Sequence, residues 1–257
     1  MGTAHVTGAA RGIGRAIAIR LAEDGHDVAV SDLPHMRAGL EETRSAVESR
    51  AVGALALHGD VSSPESVRRL VRETAEYLGC LDVMVANAGV SQTKALLEVT
   101  PDEYDAVHAI NGRGVFLCYT EAARQMIAQG KGGKIIGAAS IAAHRGFPFS
   151  GVYCSSKFAV RALTQVAAQE WATHGITVNA YCPGIVDTPM WEGIDRELGS
   201  INHVADGESI KDMARGIALG RVAEDKDVAK LVSFLAGPDS DYVTGQSILV
   251  DGGMVFT

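Results

Sequence analysis

Short apolar runs recur along the chain, separated by longer segments in which apolar residues repeat at the period of a helix. A short apolar run bounded by glycine or polar residues is typical of a buried strand, whereas the helical period is typical of an amphipathic helix. Seven strands are predicted, at Ala4–Thr7, Asp27–Ser31, Ala54–His58, Val83–Ala86, Lys134–Ala138, Ile176–Tyr181 and Ser247–Val250.

Helices are predicted between these strands. The first follows a glycine-rich turn and ends before Gly25, a residue suited to a helix C-terminus. Its apolar side is formed by Ile13, Ala16, Ile17, Ile19 and Leu21. The others are predicted at Met36–Arg50, Pro64–Leu78, Glu103–Gln129, Val152–His174 and Asp225–Leu235.

The alternation of strands and helices indicates an α/β fold, a Rossmann-type doubly wound seven-stranded parallel sheet with helices on both faces. Residues 1–257 are interpreted as a single domain, because the chain shows no linker, low-complexity tract or repeat. The stretch Trp191–Gly216 is long, mixed and polar, and is predicted to be irregular. Since it follows a strand end, we interpret residues 191–216 as a substrate-covering segment.

Composition and charge narrow the range of partners. Hydrophobic residues make up 47% of the chain and charged residues 21%, values typical of a globular protein. The formal net charge of -8 argues against a nucleic-acid partner, because binding a phosphate backbone needs clustered Lys and Arg. No apolar stretch reaches the roughly 18 residues of a membrane-spanning helix, so no membrane partner is expected.

The four cysteines, Cys80, Cys118, Cys154 and Cys182, lie far apart and form no CxxC pair. This spacing suggests neither a metal site nor a disulfide framework, and it fits reduced thiols. The first residues carry no basic segment followed by a long apolar stretch, so no export signal is expected. A cytoplasmic location and a site without metal are therefore predicted.

A glycine-rich segment, residues 7–14, stands between the first strand and the first helix. Glycines here let backbone amides approach a pyrophosphate, and the helix N-terminus adds a partial positive charge. The same glycines also suit a tight strand-to-helix turn without a ligand. Phosphate binding is the functional interpretation, and it depends on the other motifs.

Asp32 ends the second strand, close to the spacing at which a carboxylate meets an adenosine ribose. A carboxylate there accepts hydrogen bonds from ribose hydroxyls and repels a 2′-phosphate, which favours NAD over NADP. Arg11 argues in the other direction, but Leu33 supplies no second cation. NAD is therefore predicted, although an acidic residue at this point also suits a turn before Pro34.

Ser140, Tyr153 and Lys157 form the most informative polar set. Tyr153 and Lys157 are four positions apart in a predicted helix, which places both side chains on one face. Because an ammonium favours a neighbouring phenolate, we expect Lys157 and a cationic nicotinamide to lower the pKa of Tyr153. Tyr153 would then exchange a proton with a substrate oxygen that Ser140 steadies. A Tyr–Lys pair at this spacing also arises by chance on many helices.

Taken together, the motifs resemble the short-chain dehydrogenase/reductase family. They follow that family's order over nearly the entire chain: Thr7-Gly8-x-x-x-Gly12-x-Gly14, Asn87-Ala88-Gly89, Asn111, Ser140, Tyr153-x-x-x-Lys157 and Pro183-Gly184. The resemblance implies an NAD-dependent oxidoreductase with Asn111, Ser140, Tyr153 and Lys157 as catalytic residues, Asn111 holding a water that relays protons from Lys157. His5 and Ala86 depart from the family pattern, and His5 is interpreted as a core histidine.

The resemblance also implies the cofactor contacts. Asp60 and Val61 would flank the adenine, residues 87–89 would support the central portion, and Ile185 and Thr188 would border the carboxamide. The full predicted set is Gly8, Arg11, Gly12, Ile13, Gly14, Asp32, Leu33, Asp60, Val61, Asn87, Ala88, Gly89, Tyr153, Lys157, Pro183, Gly184, Ile185, Val186, Thr188 and Met190.

Within the family, residues 157–164, 181–186, 188–191 and 251–256 most resemble acetoin (diacetyl) reductases and 2,3-butanediol dehydrogenases. The resemblance implies reduction of a small diketone or hydroxyketone and the reverse oxidation of butanediol. The predicted substrate residues are Ser140, Ile141, Phe147, Tyr153, Gly184 and Trp191, with Ile185 and Met190 nearby. No Arg is evident among them, which disfavours substrates that carry a carboxylate.

Several alternatives stay open. A polyol dehydrogenase and a 3-oxoacyl-thioester reductase use the same chemistry on other substrates, and a redox-sensing binding protein uses the same fold without turnover. Such a sensor needs no proton donor, so the intact Ser140, Tyr153 and Lys157 set argues against it.

The C-terminal segment, residues 251–256, resembles the segment through which the family builds tetramers. A homotetramer is therefore expected.

Overall fold

The computed structural model describes residues 2–257, and it contains one sheet of seven parallel strands. The strand order is β3-β2-β1-β4-β5-β6-β7. All seven predicted strands are confirmed, with ends that differ by no more than two residues. They are β1 (Thr3–Thr7), β2 (Asp27–Asp32), β3 (Ala54–His58), β4 (Val83–Ala86), β5 (Gly133–Ala138), β6 (Ile176–Pro183) and β7 (Ser247–Val250).

Helices connect the strands and cover both faces of the sheet. They are α1 (Gly12–Glu23), α2 (Arg37–Glu48), α3 (Pro64–Leu78), α4 (Pro101–His108), α5 (Val115–Gln129), α6 (Gly151–Trp171), α7 (Pro189–Asn202), α8 (Glu208–Ala214) and α9 (Asp225–Ala236). The predicted Rossmann-type class is therefore confirmed. Within residues 2–257, no helix combines the length and apolar character needed to cross a bilayer.

One predicted helix, Glu103–Gln129, is divided in the structure. It begins earlier, at Pro101 after the capping box formed by Thr100 and Glu103, and α4 ends at His108. A π-helical segment, Ala109–Gly114, then leads into α5. Wider helical turns of this kind are frequent at functional sites, and the apolar period of the sequence gives no sign of one.

The prediction of an irregular stretch over residues 191–216 is wrong. Residues 189–202 form α7, which begins with Pro189 at its first turn, and residues 208–214 form α8. Ile194 and Leu198 stand four positions apart and give α7 an apolar side. The polar residues between them, together with Gly193 and Gly199 on either side, hid this period.

Two apolar clusters hold the sheet between the helices. Ala4 and Val6 of β1 belong to the cluster that includes residues of α1, α2 and α9. The cluster on the other face joins residues of α3, α5 and α6. His5, between Ala4 and Val6, points to this second face, because successive side chains of a strand alternate between faces. There it contacts Thr74 of α3.

The order in which strands are added to the sheet reverses at β1. β2 and β3 follow on one side of β1, whereas β4, next in the chain, pairs with its other side. In open α/β sheets, ligands bind in the crevice that this reversal creates at the carboxyl ends of the strands. The motifs identified in the sequence follow the strands that meet there.

Candidate active site

A cavity of about 970 Å³ opens at the carboxyl ends of the strands. Its walls are the segments that follow β1, β2, β3, β4, β5 and β6, together with α7 and α8. All of the predicted site residues line it except Asn111 and Ile185. Within residues 2–257, no cluster of three or more His, Cys, Asp or Glu could hold a metal ion.

The glycine-rich loop forms one end of this cavity. Gly8 has φ +65°, and a Cβ there would lie 2.8 Å from the Cα of Ala88, so no side chain fits. Gly12, with φ +54°, opens α1, whose first backbone amides face the cavity without a side-chain cap. A glycine-rich loop followed by a helix N-terminus that no side chain caps can bind the pyrophosphate of a dinucleotide through its backbone amides. The residues present therefore suit such a cofactor.

Asp32 lies at the end of β2, beside the glycine-rich loop. Its carboxylate accepts a hydrogen bond from the Ala10 N–H at 3.0 Å and another from the Leu33 N–H at 2.8 Å. The two bonds fix the carboxylate at the cavity wall. A carboxylate fixed at this point can accept hydrogen bonds from the hydroxyl groups of a ribose.

The turn after β4, Asn87–Gly89, is tied to β1 by hydrogen bonds. The Asn87 and Ala88 N–H groups both donate to Thr7 Oγ1 at 3.1 Å, and Asn87 Nδ2 donates to the Thr7 carbonyl at 2.8 Å. The Tyr181 hydroxyl of β6 donates to Asn87 Oδ1 at 2.8 Å. The turn is thus held rigidly in the middle of the cavity.

Tyr153 and Lys157 lie on the buried side of α6. Lys157 Nζ is 5.6 Å from the centre of the Tyr153 ring and donates to the Ala138 carbonyl at 2.8 Å. A Cβ added to Gly89 would lie 3.5 Å from Lys157 Nζ, so the ammonium also stands beside the central turn. The helical spacing therefore does place both side chains in the cavity, as the sequence predicts.

The pKa of Tyr153 differs in direction from the expectation. Burial raises it to about 12, while the hydrogen bond with the Ser140 hydroxyl acts in the opposite direction. Burial also lowers the pKa of Lys157 to about 8. Desolvation disfavours the charged phenolate, and its effect on the pKa outweighs that of the Ser140 hydrogen bond. Within the protein alone, Lys157 does not make Tyr153 more acidic than an ordinary phenol.

Ser140 follows β5 and faces Tyr153. Its Oγ accepts a hydrogen bond from the Ala142 N–H at 3.1 Å. The Ser140 hydroxyl also hydrogen-bonds to Tyr153, so the two hydroxyl groups stand close together at the cavity. Two hydroxyl groups that converge in this way can polarise one carbonyl oxygen.

Asn111 lies in the π-helical segment, behind the cavity wall. Its side-chain amide is used internally: Oδ1 accepts from the Val90 N–H at 2.9 Å, and Nδ2 donates to the Val90 carbonyl at 2.9 Å. Nδ2 also lies 3.1 Å from Ser156 Oγ. Asn111 therefore anchors the loop after the central turn, and a water relay at this residue would have to use its main chain.

Four of the apolar residues predicted to lie near the substrate, Ile141, Phe147, Met190 and Trp191, line the cavity. Ile185 is buried behind the wall, and its carbonyl accepts from the Ala223 N–H at 2.9 Å. Its neighbours at positions 184 and 186 line the cavity instead, as expected where side chains of an extended segment alternate.

Helices α7 and α8 form the roof of the cavity, and they contain residues that the sequence analysis did not assign to the site. Asp195 of α7, 6% exposed, accepts hydrogen bonds from the Gly207 N–H and, at 2.8 Å, from the Ile210 N–H, which ties α8 to α7. Asp195 itself does not line the cavity. Arg215, after α8, does, and it pairs with Asp212 at 3.0 Å. The four-residue spacing of the apolar residues Ile194 and Leu198 is the sequence feature that could have indicated α7. The missed lining residues include Ser91, Gln92, Thr93, Ile194, Leu198, Asn202, Val204 and Met213.

Comparison with known proteins agrees with this architecture. Residues 8–255 match the family model described as enoyl-(acyl carrier protein) reductase. The chain is 50% identical to an L-2,3-butanediol dehydrogenase of Corynebacterium glutamicum, with 98% of each covered. It is 44% identical to an (S)-acetoin-forming diacetyl reductase of Staphylococcus epidermidis, over 99% of this chain and 98% of the other.

A solved structure shows the same likeness. The acetoin dehydrogenase of Salmonella typhimurium superposes with a TM-score of 0.86 at 32% identity, and the match covers 98% of this chain and 95% of the other. The fold and the cavity define a Rossmann-type oxidoreductase of the kind that depends on a nicotinamide cofactor. More narrowly, the chain belongs to the short-chain dehydrogenase/reductase family.

Proposed function

We propose that this protein is an NAD(H)-dependent reductase of small vicinal diketones and hydroxyketones, such as diacetyl and acetoin, and that it oxidises 2,3-butanediol in reverse. The observation that carries the proposal is the placement of Ser140, Tyr153 and Lys157 in one cavity with an anchored Asp32 carboxylate at its far end. The names of the relatives, which match over nearly the whole chain, support the same substrate class.

In the proposed mechanism the hydroxyl groups of Ser140 and Tyr153 bind one substrate oxygen. When bound, the nicotinamide supplies the hydride for reduction and accepts it for oxidation. During reduction, Tyr153 gives its proton to the oxygen, while Ser140 keeps donating a hydrogen bond to it. Lys157, held by the Ala138 carbonyl, places a positive charge beside the phenolate that forms. The raised pKa of Tyr153 keeps the phenol protonated in the resting protein, so that a proton is present to be transferred.

The preference for NAD over NADP rests on Asp32. Its two backbone hydrogen bonds leave the carboxylate unable to swing away from an added phosphate. Arg11 lines the cavity, but Leu33 offers no second positive charge next to Asp32. We therefore expect NADH to be used with a much higher kcat/KM than NADPH.

The substrate preference rests on the shape and polarity of the cavity. The predicted substrate positions Ile141, Phe147 and Trp191 are apolar, and Arg215 is engaged by Asp212. A small ketone without a carboxylate fits these surroundings. The relatives are named for L-2,3-butanediol and for (S)-acetoin, so we expect the (S) product.

Assembly into a homotetramer is also proposed. β7 is an edge strand of the sheet, and the segments on either side of it expose large apolar side chains: Tyr242 before β7 and Phe256 after it are mostly open to solvent. Apolar surface at a sheet edge favours association with further copies. Analytical ultracentrifugation showing a single tetrameric species is the expected result, and a monomer would contradict it.

A cytoplasmic location is proposed as well. The four cysteines are all free, which supports it.

One panel tests the catalytic proposal. Oxidation of NADH and NADPH is measured with diacetyl, acetoin, fructose and acetoacetyl thioester, followed by chiral chromatography of the acetoin formed. Diacetyl or acetoin with NADH should give the highest kcat/KM. A higher value with fructose would indicate a polyol dehydrogenase, and a higher value with the thioester and NADPH would indicate a 3-oxoacyl-thioester reductase.

A further inference from the structure

His5 is a fully buried polar residue in the middle of β1. Both ring nitrogens have partners: Nδ1 lies 2.7 Å from Thr74 Oγ1 of α3, and Nε2 lies 2.8 Å from Ser31 Oγ of β2. The ring therefore bridges a helix on one face of the sheet to the neighbouring strand. None of the catalytic steps above uses it.

The direction of each hydrogen bond follows from the partners. Thr74 donates its hydroxyl proton to the Leu70 carbonyl at 2.8 Å, so its oxygen accepts from His5 Nδ1–H. Burial lowers the pKa of His5 to about 4, and the neutral ring then carries no proton on Nε2. Nε2 accepts the only hydroxyl proton of Ser31, which fixes the rotamer of that side chain.

Ser31 connects this bridge to the cavity. It lines the cavity, and its main-chain carbonyl accepts from the Ala9 N–H of the glycine-rich loop at 3.1 Å. The next residue, Asp32, accepts from the Ala10 N–H. A continuous set of hydrogen bonds thus runs from α3 through His5 to the loop and carboxylate at one end of the cavity.

We propose that His5 is a positioning residue for the adenosine half of the cofactor: by holding Ser31, it fixes the end of β2 and the glycine-rich loop in the arrangement that binds adenosine diphosphate. This rests on the proposed NAD(H) dependence. An aliphatic residue would fill the same space but leave Ser31 free to rotate. The adenosine end would then lose affinity without any change at Ser140, Tyr153 or Lys157.

The test measures binding of ADP-ribose, which lacks the nicotinamide, by titration calorimetry. The Kd for ADP-ribose should rise roughly three- to ten-fold in His5→Leu and in Ser31→Ala, the range for loss of one hydrogen bond. The KM for NADH should rise in parallel, while kcat at saturating NADH stays within about two-fold. If His5→Leu does not fold, Ser31→Ala decides the question with the same measurement.

Thr164→Val is the matched control. Thr164 is also a fully buried threonine, its hydroxyl lies 3.0 Å from Tyr119 Oη, and neither residue lines the cavity. This variant should lose stability in urea but keep its Kd for ADP-ribose. An equal loss of affinity in Thr164→Val, or unchanged affinity in both His5→Leu and Ser31→Ala, would overturn the role of His5. Failure of the wild-type protein to bind ADP-ribose and NADH would instead overturn the proposed cofactor.

Discussion

Lys157 Nζ lies 5.6 Å from the centre of the Tyr153 ring and donates its hydrogen bond to the Ala138 carbonyl at 2.8 Å. The ammonium is thus anchored by the sheet and not by the phenol. Its position beside the ring lets it stabilise a phenolate once one forms, whereas burial keeps the resting phenol protonated. The pair is therefore arranged to donate a proton to a substrate and to take it back.

The first prediction concerns Tyr153→Phe. Because this change removes only the hydroxyl group that transfers the proton, kcat should fall roughly 10²- to 10⁴-fold in both directions while the Kd for NADH is kept. Stopped-flow and steady-state assays with diacetyl measure the rates. Tyr119→Phe is the control, since Tyr119 is a buried tyrosine that lies outside the cavity. A Tyr153→Phe enzyme with wild-type kcat would contradict the mechanism.

A second prediction concerns the charge on Asp32. Asp32→Asn keeps the size of the side chain and an oxygen for the Leu33 N–H, but removes the negative charge. The ratio of kcat/KM for NADPH to that for NADH should rise at least about ten-fold, because like-charge repulsion across an interface costs several kcal/mol. Asp24→Asn, at the C-terminal end of α1, should leave the ratio unchanged. An unchanged ratio in Asp32→Asn would show that another residue selects the cofactor.

The sheet and most of the site could be predicted from the sequence, because both depend on local patterns. Strands buried on both faces are nearly continuous apolar runs, such as Val83–Ala86. Parallel strands bring their carboxyl ends to one edge, so Asp32, Asn87 and Ser140 had to lie along the same edge of the sheet. The spacing of Tyr153 and Lys157 fixed their shared helix face.

What could not be predicted depends on three-dimensional surroundings. The rise in the pKa of Tyr153 comes from burial, which a sequence does not state. The π-helical segment, Ala109–Gly114, keeps a helical composition and changes only the hydrogen-bond register. Asp195 is a carboxylate among other polar residues, and its role appears only when α8 folds back on α7.

A third prediction concerns stability and pH through His5. Its pKa is about 4 in the folded protein, whereas an ordinary histidine has a pKa of 6.5, so the unfolded chain binds more protons between these limits. Stability from neutral His5 is fully present above about pH 6.5 and is lost as pH falls toward about 4, with about 2 kcal/mol lost between pH 7 and pH 5. Urea denaturation at both pH values measures it.

The variant His5→Gln should flatten that dependence, because glutamine does not titrate in this range. His174→Gln is the control, since His174 is exposed on the turn after α6 and should keep the wild-type slope. The same loss of stability between pH 7 and pH 5 in His5→Gln and in the wild type would show that other groups govern the acid sensitivity.

The last prediction concerns Asp195, which joins the two helices of the cavity roof. Asp195→Ala leaves the Gly207 and Ile210 N–H groups without their acceptor, so α8 should separate more readily from α7. Since α7 and α8 cover the substrate end, the KM for diacetyl should rise roughly five- to ten-fold while the Kd for ADP-ribose changes little. Hydrogen exchange should show faster exchange confined to α7 and α8.

Asp206→Ala is the control for this prediction. It removes an exposed carboxylate from the loop between the same helices and should change neither the KM for diacetyl nor the hydrogen exchange. Wild-type KM and exchange in Asp195→Ala would show that the roof is held by its apolar contacts alone.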